Sequence, residues 1–111
     1  MRRSHSYFAL IAAAAISTSA EASPNIGEYG KITYISAGWN DPQVKVTLNI
    51  PLYNPEACSS PDGYITDPSS PGNELFMSML MTAYSLGHIV RLTTQGCYIG
   101  RPRIIGVEIK Q

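Results

Sequence analysis

What most constrains the fold of this chain is how little of it remains once an N-terminal export signal is removed. Arg2 and Arg3 give a basic start, residues 7–16 form an apolar run, and residues 20–22 (Ala-Glu-Ala) form a small-x-small cleavage site. The apolar run is about half the length that spans a bilayer. Residues 1–22 are therefore predicted to be a cleaved signal peptide, rather than an uncleaved anchor, and residues 23–111 one secreted or periplasmic domain.

The mature part has 89 of the 111 residues, which is few for a stable hydrophobic core. Its two cysteines, Cys58 and Cys97, would meet oxidising conditions, so a disulfide between them is predicted. The alternative is a metal site or a redox thiol pair, but the cysteines of such pairs usually lie close in sequence. A disulfide over this separation contributes about 4 kcal/mol, comparable with the whole stability of a small domain.

The charge of the mature part excludes some partners. Six Lys and Arg stand against seven Asp and Glu, a formal net charge of −1. A chain so nearly neutral lacks the basic surface that nucleic acids and anionic membranes attract. We expect no nucleic-acid partner, no membrane insertion and no cofactor.

Strand patterns flank a long loop in the first half of the mature chain. Residues 31–39 are rich in β-branched and aromatic side chains, and residues 44–50 alternate strictly between apolar and polar. The turn residues between them predict an antiparallel hairpin. The Pro-rich stretch 51–72 is predicted to be loop, with a short edge strand at 64–66.

A helix is predicted over Asn73–Leu86, with Ser70 or Asn73 as N-cap and Gly87 as its stop. Apolar side chains surround it almost completely, which indicates burial on more than one side. Either the long loop covers the second face, or that face binds a partner or another copy of the chain. The residues predicted for an oligomer interface are Met77, Met79, Met81 and Tyr84.

Two further strands are predicted at residues 88–95 and 103–110, so the order is β-β-(β)-α-β-β. This order predicts an α+β fold: a small twisted antiparallel sheet or an OB-type partly open barrel with one helix and one disulfide.

Residues 74–92 (ELFMSMLMTAYSLGHIVRL) resemble the helix and following strand of the subtilase cytotoxin B subunit and its relatives. The resemblance covers about a fifth of the chain and is clearest from Tyr84 to Leu92. It implies an OB-type fold, a five-subunit ring and binding of cell-surface glycans that end in sialic acid. The cysteine positions and the Pro-rich loop do not match that family. Its sugar-contacting residues fall outside the matching stretch, so none is transferred to this chain.

Residues suited to catalysis are scarce. His88 is the one histidine of the mature part, and its place after the helix stop favours a charge interaction with the helix C-terminus over catalysis. Asp62 and Asp67 each stand in a turn-forming pair, and no cluster has metal-ligand spacing. No catalytic and no metal-binding residues are predicted.

Two places are candidates for a binding surface. Trp39, Asn40 and Asp41 combine an aromatic ring with amide and carboxylate groups, as sugar binding requires, although a core tryptophan beside an ordinary turn is the alternative. Tyr53 and Tyr64 lie in or beside the long loop, where they could bind a ligand or only cover the helix.

These observations predict an exported, non-enzymatic binding module that acts as an oligomer, with a glycan as the leading ligand. The first alternative is a periplasmic inhibitor or accessory subunit that binds another protein through its apolar helix or a sheet edge. A small enzyme with an enclosed pocket is the second.

Overall fold

The computed structural model describes residues 23–38 and 40–111, and the predicted signal peptide and Trp39 lie outside them. The described elements are β1 (Asn25–Ile26), β2 (Gly30–Ala37), β3 (Val44–Leu48), β4 (Tyr64–Thr66), α1 (Asn73–Leu86), β5 (Ile89–Tyr98) and β6 (Arg101–Lys110). The bounds of α1 and β4 agree with the prediction, but β4 is not the predicted edge strand, because it pairs with β3 on one side and β6 on the other. β5 and β6 extend further towards each other than predicted, so a turn of two residues joins them.

The strands close into a barrel. Strand β5 pairs with β2 on one side and with β6 on the other, and β2, β3, β4 and β6 complete the ring. The two-residue strand β1 also pairs with β5, on the same side of β5 as β2. The single helix crosses from β4 to β5, which is the OB-type arrangement, and the predicted α+β fold is confirmed.

The sheet is not wholly antiparallel, contrary to one form of the prediction. Strands β4 and β6 pair in parallel, with Ile65 opposite Arg103 and Thr66 opposite Ile104. The reason is geometric: strand directions cannot alternate all the way around a closed ring of five, so at least one neighbouring pair must be parallel.

The core lies between the barrel and one face of the helix. Leu80 and Ala83 of α1 are fully buried and pack among strand residues that include Val46, Val90 and Ile104. After the helix, Gly87 adopts a left-handed conformation (φ 67°), and the backbone N–H of His88 donates to Ala83 O at 3.0 Å. This arrangement satisfies helix carbonyls and turns the chain into β5.

The N-terminus of α1 differs from the prediction. The N-cap is Gly72, and neither Ser70 nor Asn73 caps the helix with its side chain. A Cβ at position 72 would lie 2.5 Å from Cζ of Phe76, so the packed ring leaves no room for a capping side chain. Asn73 is instead the first helical residue, and its buried amide Nδ2 donates to Pro42 O at 2.9 Å.

The long loop does not cover the outer part of the helix. Helical spacing places Met77, Met81 and Tyr84 on one flank of α1, and Met81 and Tyr84 are 51% and 47% exposed. Met79 lies half-buried on the opposite flank. The outermost stripe is polar, with Ser78 and Thr82 among its residues, so α1 has two apolar flanks rather than a second buried face.

The predicted disulfide is confirmed, and it fixes the long loop to the end of β5. The Cα atoms of Cys58 and Cys97 are 5.8 Å apart. The Asn54 side chain accepts a hydrogen bond from the N–H of Cys58 and donates one to the carbonyl of the same residue. Nearby, Ser60 N donates to Gly100 O at 2.7 Å. The loop therefore braces the β5–β6 turn from the outside of the barrel.

Candidate binding site

A cleft of about 480 Å³ lies between the β2–β3 turn and the β5–β6 turn at one end of the barrel. This volume falls in the range of small-ligand sites. The two turns are also the loops with which OB-type barrels bind oligosaccharides and oligonucleotides. The side chains that line the cleft include Tyr34, Ser36, Asn40, Asp41, Gln43, Lys45, Ile65, Ile99 and Arg101.

Tyr34 supplies an exposed aromatic ring to this cleft because of a bulge in β2. The register between β2 and β3 shifts between Ile32 and Tyr34, so Ile32 points into the core while Tyr34 points outward. A regular strand would place both side chains on the same face. Tyr34 is 52% exposed, and Nζ of Lys45 lies 5.9 Å from the centroid of its ring.

The two cations of the cleft share one carboxylate. Arg101 donates to Asp62 through Nε at 2.5 Å and Nη2 at 3.0 Å, and Lys45 Nζ lies 3.3 Å from Asp62 Oδ2. The hydrogen bonds from Arg101, together with those from Lys45 and both positive charges, lower the pKa of Asp62 from 3.8 to about 2. The third described bond of the guanidinium runs from Nη1 to Ile99 O, so the salt bridge also fixes the β5–β6 turn.

The β2–β3 turn carries the two predicted residues that reach the cleft. Asn40 and Asp41 both line it and are exposed. Gln43 N donates to Asp41 O at 2.8 Å, and the bond from Asn73 to Pro42 ties the turn to the helix. Oε1 of Gln43 is buried without a hydrogen-bond partner among the described residues. The turn is thus held in place while its side chains remain available.

The predicted tyrosines of the long loop do not join this site. Tyr64 is 4% exposed and belongs to the core, where its hydroxyl accepts a hydrogen bond from Tyr53 N at 2.7 Å, so its predicted ligand role is wrong. Burial raises the pKa of its hydroxyl. Tyr53 is 43% exposed but does not line the cleft. Trp39 lies outside the described residues.

A second, more open groove of about 660 Å³ runs between the same turn and α1. Gly38, Asp41 and Gln43 line both spaces, and the helix side of the groove is formed by Glu74, Met77, Ser78 and Met81. Tyr84 stands on the same helix flank. Three of the four residues predicted for an oligomer interface therefore share one surface, and Met79 is separate from it.

Sequence reasoning missed Tyr34, Lys45, Asp62 and Arg101. The bulge that exposes Tyr34 has no signature in the residues themselves. The proximity of Asp62 and Arg101 could have been predicted from the cysteines, because Asp62 stands four residues after Cys58 and Arg101 four residues after Cys97. A disulfide that joins the two segments brings these opposite charges close together.

Residues 23–38 and 40–111 contain no group of three or more His, Cys, Asp or Glu side chains that could hold a metal ion. Within the same residues, no helix is long and apolar enough to cross a membrane. His88 helps to end α1 through its backbone N–H, while the charge interaction of its ring stays a prediction.

Comparison with known proteins found no match to a family model, a curated protein or a solved structure.

Proposed function

We propose that this chain is an exported, non-enzymatic binding domain that recognises a glycan in the cleft between its two barrel-end turns. The observation that carries the proposal is the exposed Tyr34 ring beside Ser36, Asn40 and Asp41 in one preformed cleft. A sugar presents an apolar face that stacks on an aromatic ring, and hydroxyl groups that both donate and accept hydrogen bonds.

The electrostatics of Asp62, which pairs with the two cations that line the cleft, favour binding over catalysis. A general acid or base needs a pKa near the working pH, which burial or a like charge usually provides. The pKa of Asp62 moves in the other direction, to about 2, and its carboxylate is held by two cations. Such a carboxylate stays ionised and organises the cleft wall rather than transferring protons.

The proposed mechanism is multivalent. One shallow sugar site binds weakly, but an oligomer that presents several sites on one face gains avidity without new contacts at each site. The exposed flank of α1 with Met81 and Tyr84 is the surface proposed to join the copies. Export through the signal peptide at residues 1–22 and a ring-like or dimeric assembly are parts of the same proposal.

A glycan array tests this proposal with the full chain, expressed with its own leader. Tyr34→Ala removes the stacking surface and should reduce binding of any glycan hit at least about tenfold. Tyr53→Ala is the matched control, because Tyr53 is similarly exposed but lies outside the cleft. Equal losses in both variants, or no glycan bound by the wild type, would reject the cleft as a sugar site.

A second candidate function is binding of another protein through the groove beside α1. It is supported by the two methionines in the helix wall of the groove, Met77 and Met81, and by the exposed Tyr84 on the same flank of α1. This function predicts a chain that is monomeric alone, whereas the proposed glycan-binding function predicts an oligomer. The mass in solution separates the two.

A further inference from the structure

The cations that line the cleft are both paired with a carboxylate of the protein. Among the described residues, the cations that line the cleft are Lys45 and Arg101, and Asp62 forms an ion pair with each of them. Two donors of the guanidinium bind Asp62 and a third binds Ile99 O, while Nζ of Lys45 lies between Asp62 and the Tyr34 ring. A carboxylate on a ligand would have to share these two cations with Asp62.

The charges at the cleft sum to zero, because Lys45 and Arg101 carry two positive charges and Asp62 and Asp41 carry two negative ones. Asp41 lines the cleft from the β2–β3 turn and forms no ion pair with the described residues. The Asp41 charge also acts on Tyr98 in the β5–β6 hairpin. The pKa of Tyr98 is raised mainly by desolvation and additionally by the negative charges of Asp41 and Asp67. An acidic sugar would therefore meet an unpaired like charge, while an uncharged sugar can donate its hydroxyls to the same carboxylate.

We propose that Asp62 is a specificity-determining residue: by pairing with Lys45 and Arg101 it cancels, together with Asp41, the positive charge of the cleft, which then selects uncharged glycans and rejects acidic ones. The inference rests on the proposed glycan-binding function and names its substrate class. It departs from the resemblance to the subtilase cytotoxin B subunit, which implies glycans ending in sialic acid. Tyr34 provides the stacking surface, Asp41 accepts sugar hydroxyls, and Asp62 weakens the attraction of the two cations for a carboxylate.

The test measures the affinity of the full chain for one galactose-terminated glycan and for the same glycan capped with sialic acid, both immobilised at equal density. The wild type should bind the uncharged form a few-fold more tightly. Asp62→Asn releases Lys45 and Arg101, so the sialylated form should gain about tenfold in affinity, and added salt should reduce that gain.

Glu108→Gln is the matched control. Arg91 and Glu108, on the paired strands β5 and β6, form another ion pair with two hydrogen bonds, and this pair lies outside the cleft. The substitution removes one negative charge, as Asp62→Asn does. The ratio of the two affinities should stay at its wild-type value. Circular dichroism verifies that Asp62→Asn folds; if it does not, Asp41→Asn replaces it and should raise binding of the sialylated form a few-fold.

The possible failures are distinguishable. Wild-type preference for the sialylated form, or an unchanged ratio in the folded Asp62→Asn variant, overturns the role of Asp62 but leaves glycan binding intact. Failure to bind either form, with no hit on a wider glycan array, rejects the proposed function and this inference together.

Discussion

At the scale of single residues, the disulfide has two effects. It closes a loop between positions 39 residues apart, and it holds the segment with Asp62 beside the turn with Arg101. The first effect acts on the unfolded chain and the second on the shape of the cleft. One covalent bond thus links the stability of the domain to the geometry of its candidate site.

Removal of this bond should be costly. Cys58 is buried and Cys97 exposed, so the double variant Cys58→Ala with Cys97→Ser avoids a buried hydroxyl and a free thiol. We expect a loss of about 4 kcal/mol in the free energy of unfolding, because the unfolded chain regains the entropy that the closed loop removed. Urea denaturation with and without reductant measures it: the wild type should weaken with reductant, and the variant should not respond. Equal stability of variant and wild type would contradict the prediction.

At the scale of elements, the bond between α1 and the β2–β3 turn should be measurable. Asn73→Ala removes the hydrogen bond from Nδ2 to Pro42 O, the one described side-chain bond that ties the helix start to the cleft wall. We expect a loss of about 1 kcal/mol in the free energy of unfolding. Because the turn carries Asn40 and Asp41, glycan binding should also weaken. Ser78→Ala, at an exposed position of the same helix, is the control and should leave both quantities nearly unchanged.

The elements also show which features a sequence can predict. The bounds of α1 follow from Gly87 and from the apolar run, and β4 follows from its position between turn residues, so both were predicted from local signals. The Gly72 cap and the bulge at Tyr34 depend on packing between distant segments, namely the Phe76 ring and the register of β2 on β3. Such long-range contacts leave no local pattern, which is why the exposed position of Tyr34 was missed.

At the scale of the whole molecule, an exposed apolar helix flank on so small a domain needs an explanation. Met81 and Tyr84 lie about half-exposed beside the open groove, and the long loop is fixed elsewhere by Cys58. Folding of the single chain leaves this surface in water, where association with further copies would bury it. The oligomer is therefore predicted from what the barrel leaves uncovered.

Light scattering on the purified full chain tests this prediction. The wild type should have the mass of several copies, and Tyr84→Glu should reduce it to that of one copy, because a charge at the centre of an apolar contact is costly to bury. Thr82→Glu, on the polar outer stripe of α1, is the matched control and should keep the wild-type mass. Since Tyr84 is 47% exposed, its substitution should leave the helical circular dichroism intact. A monomeric wild type would favour the protein-binding function instead, and an unchanged mass in a folded Tyr84→Glu variant would show that the copies associate through another surface.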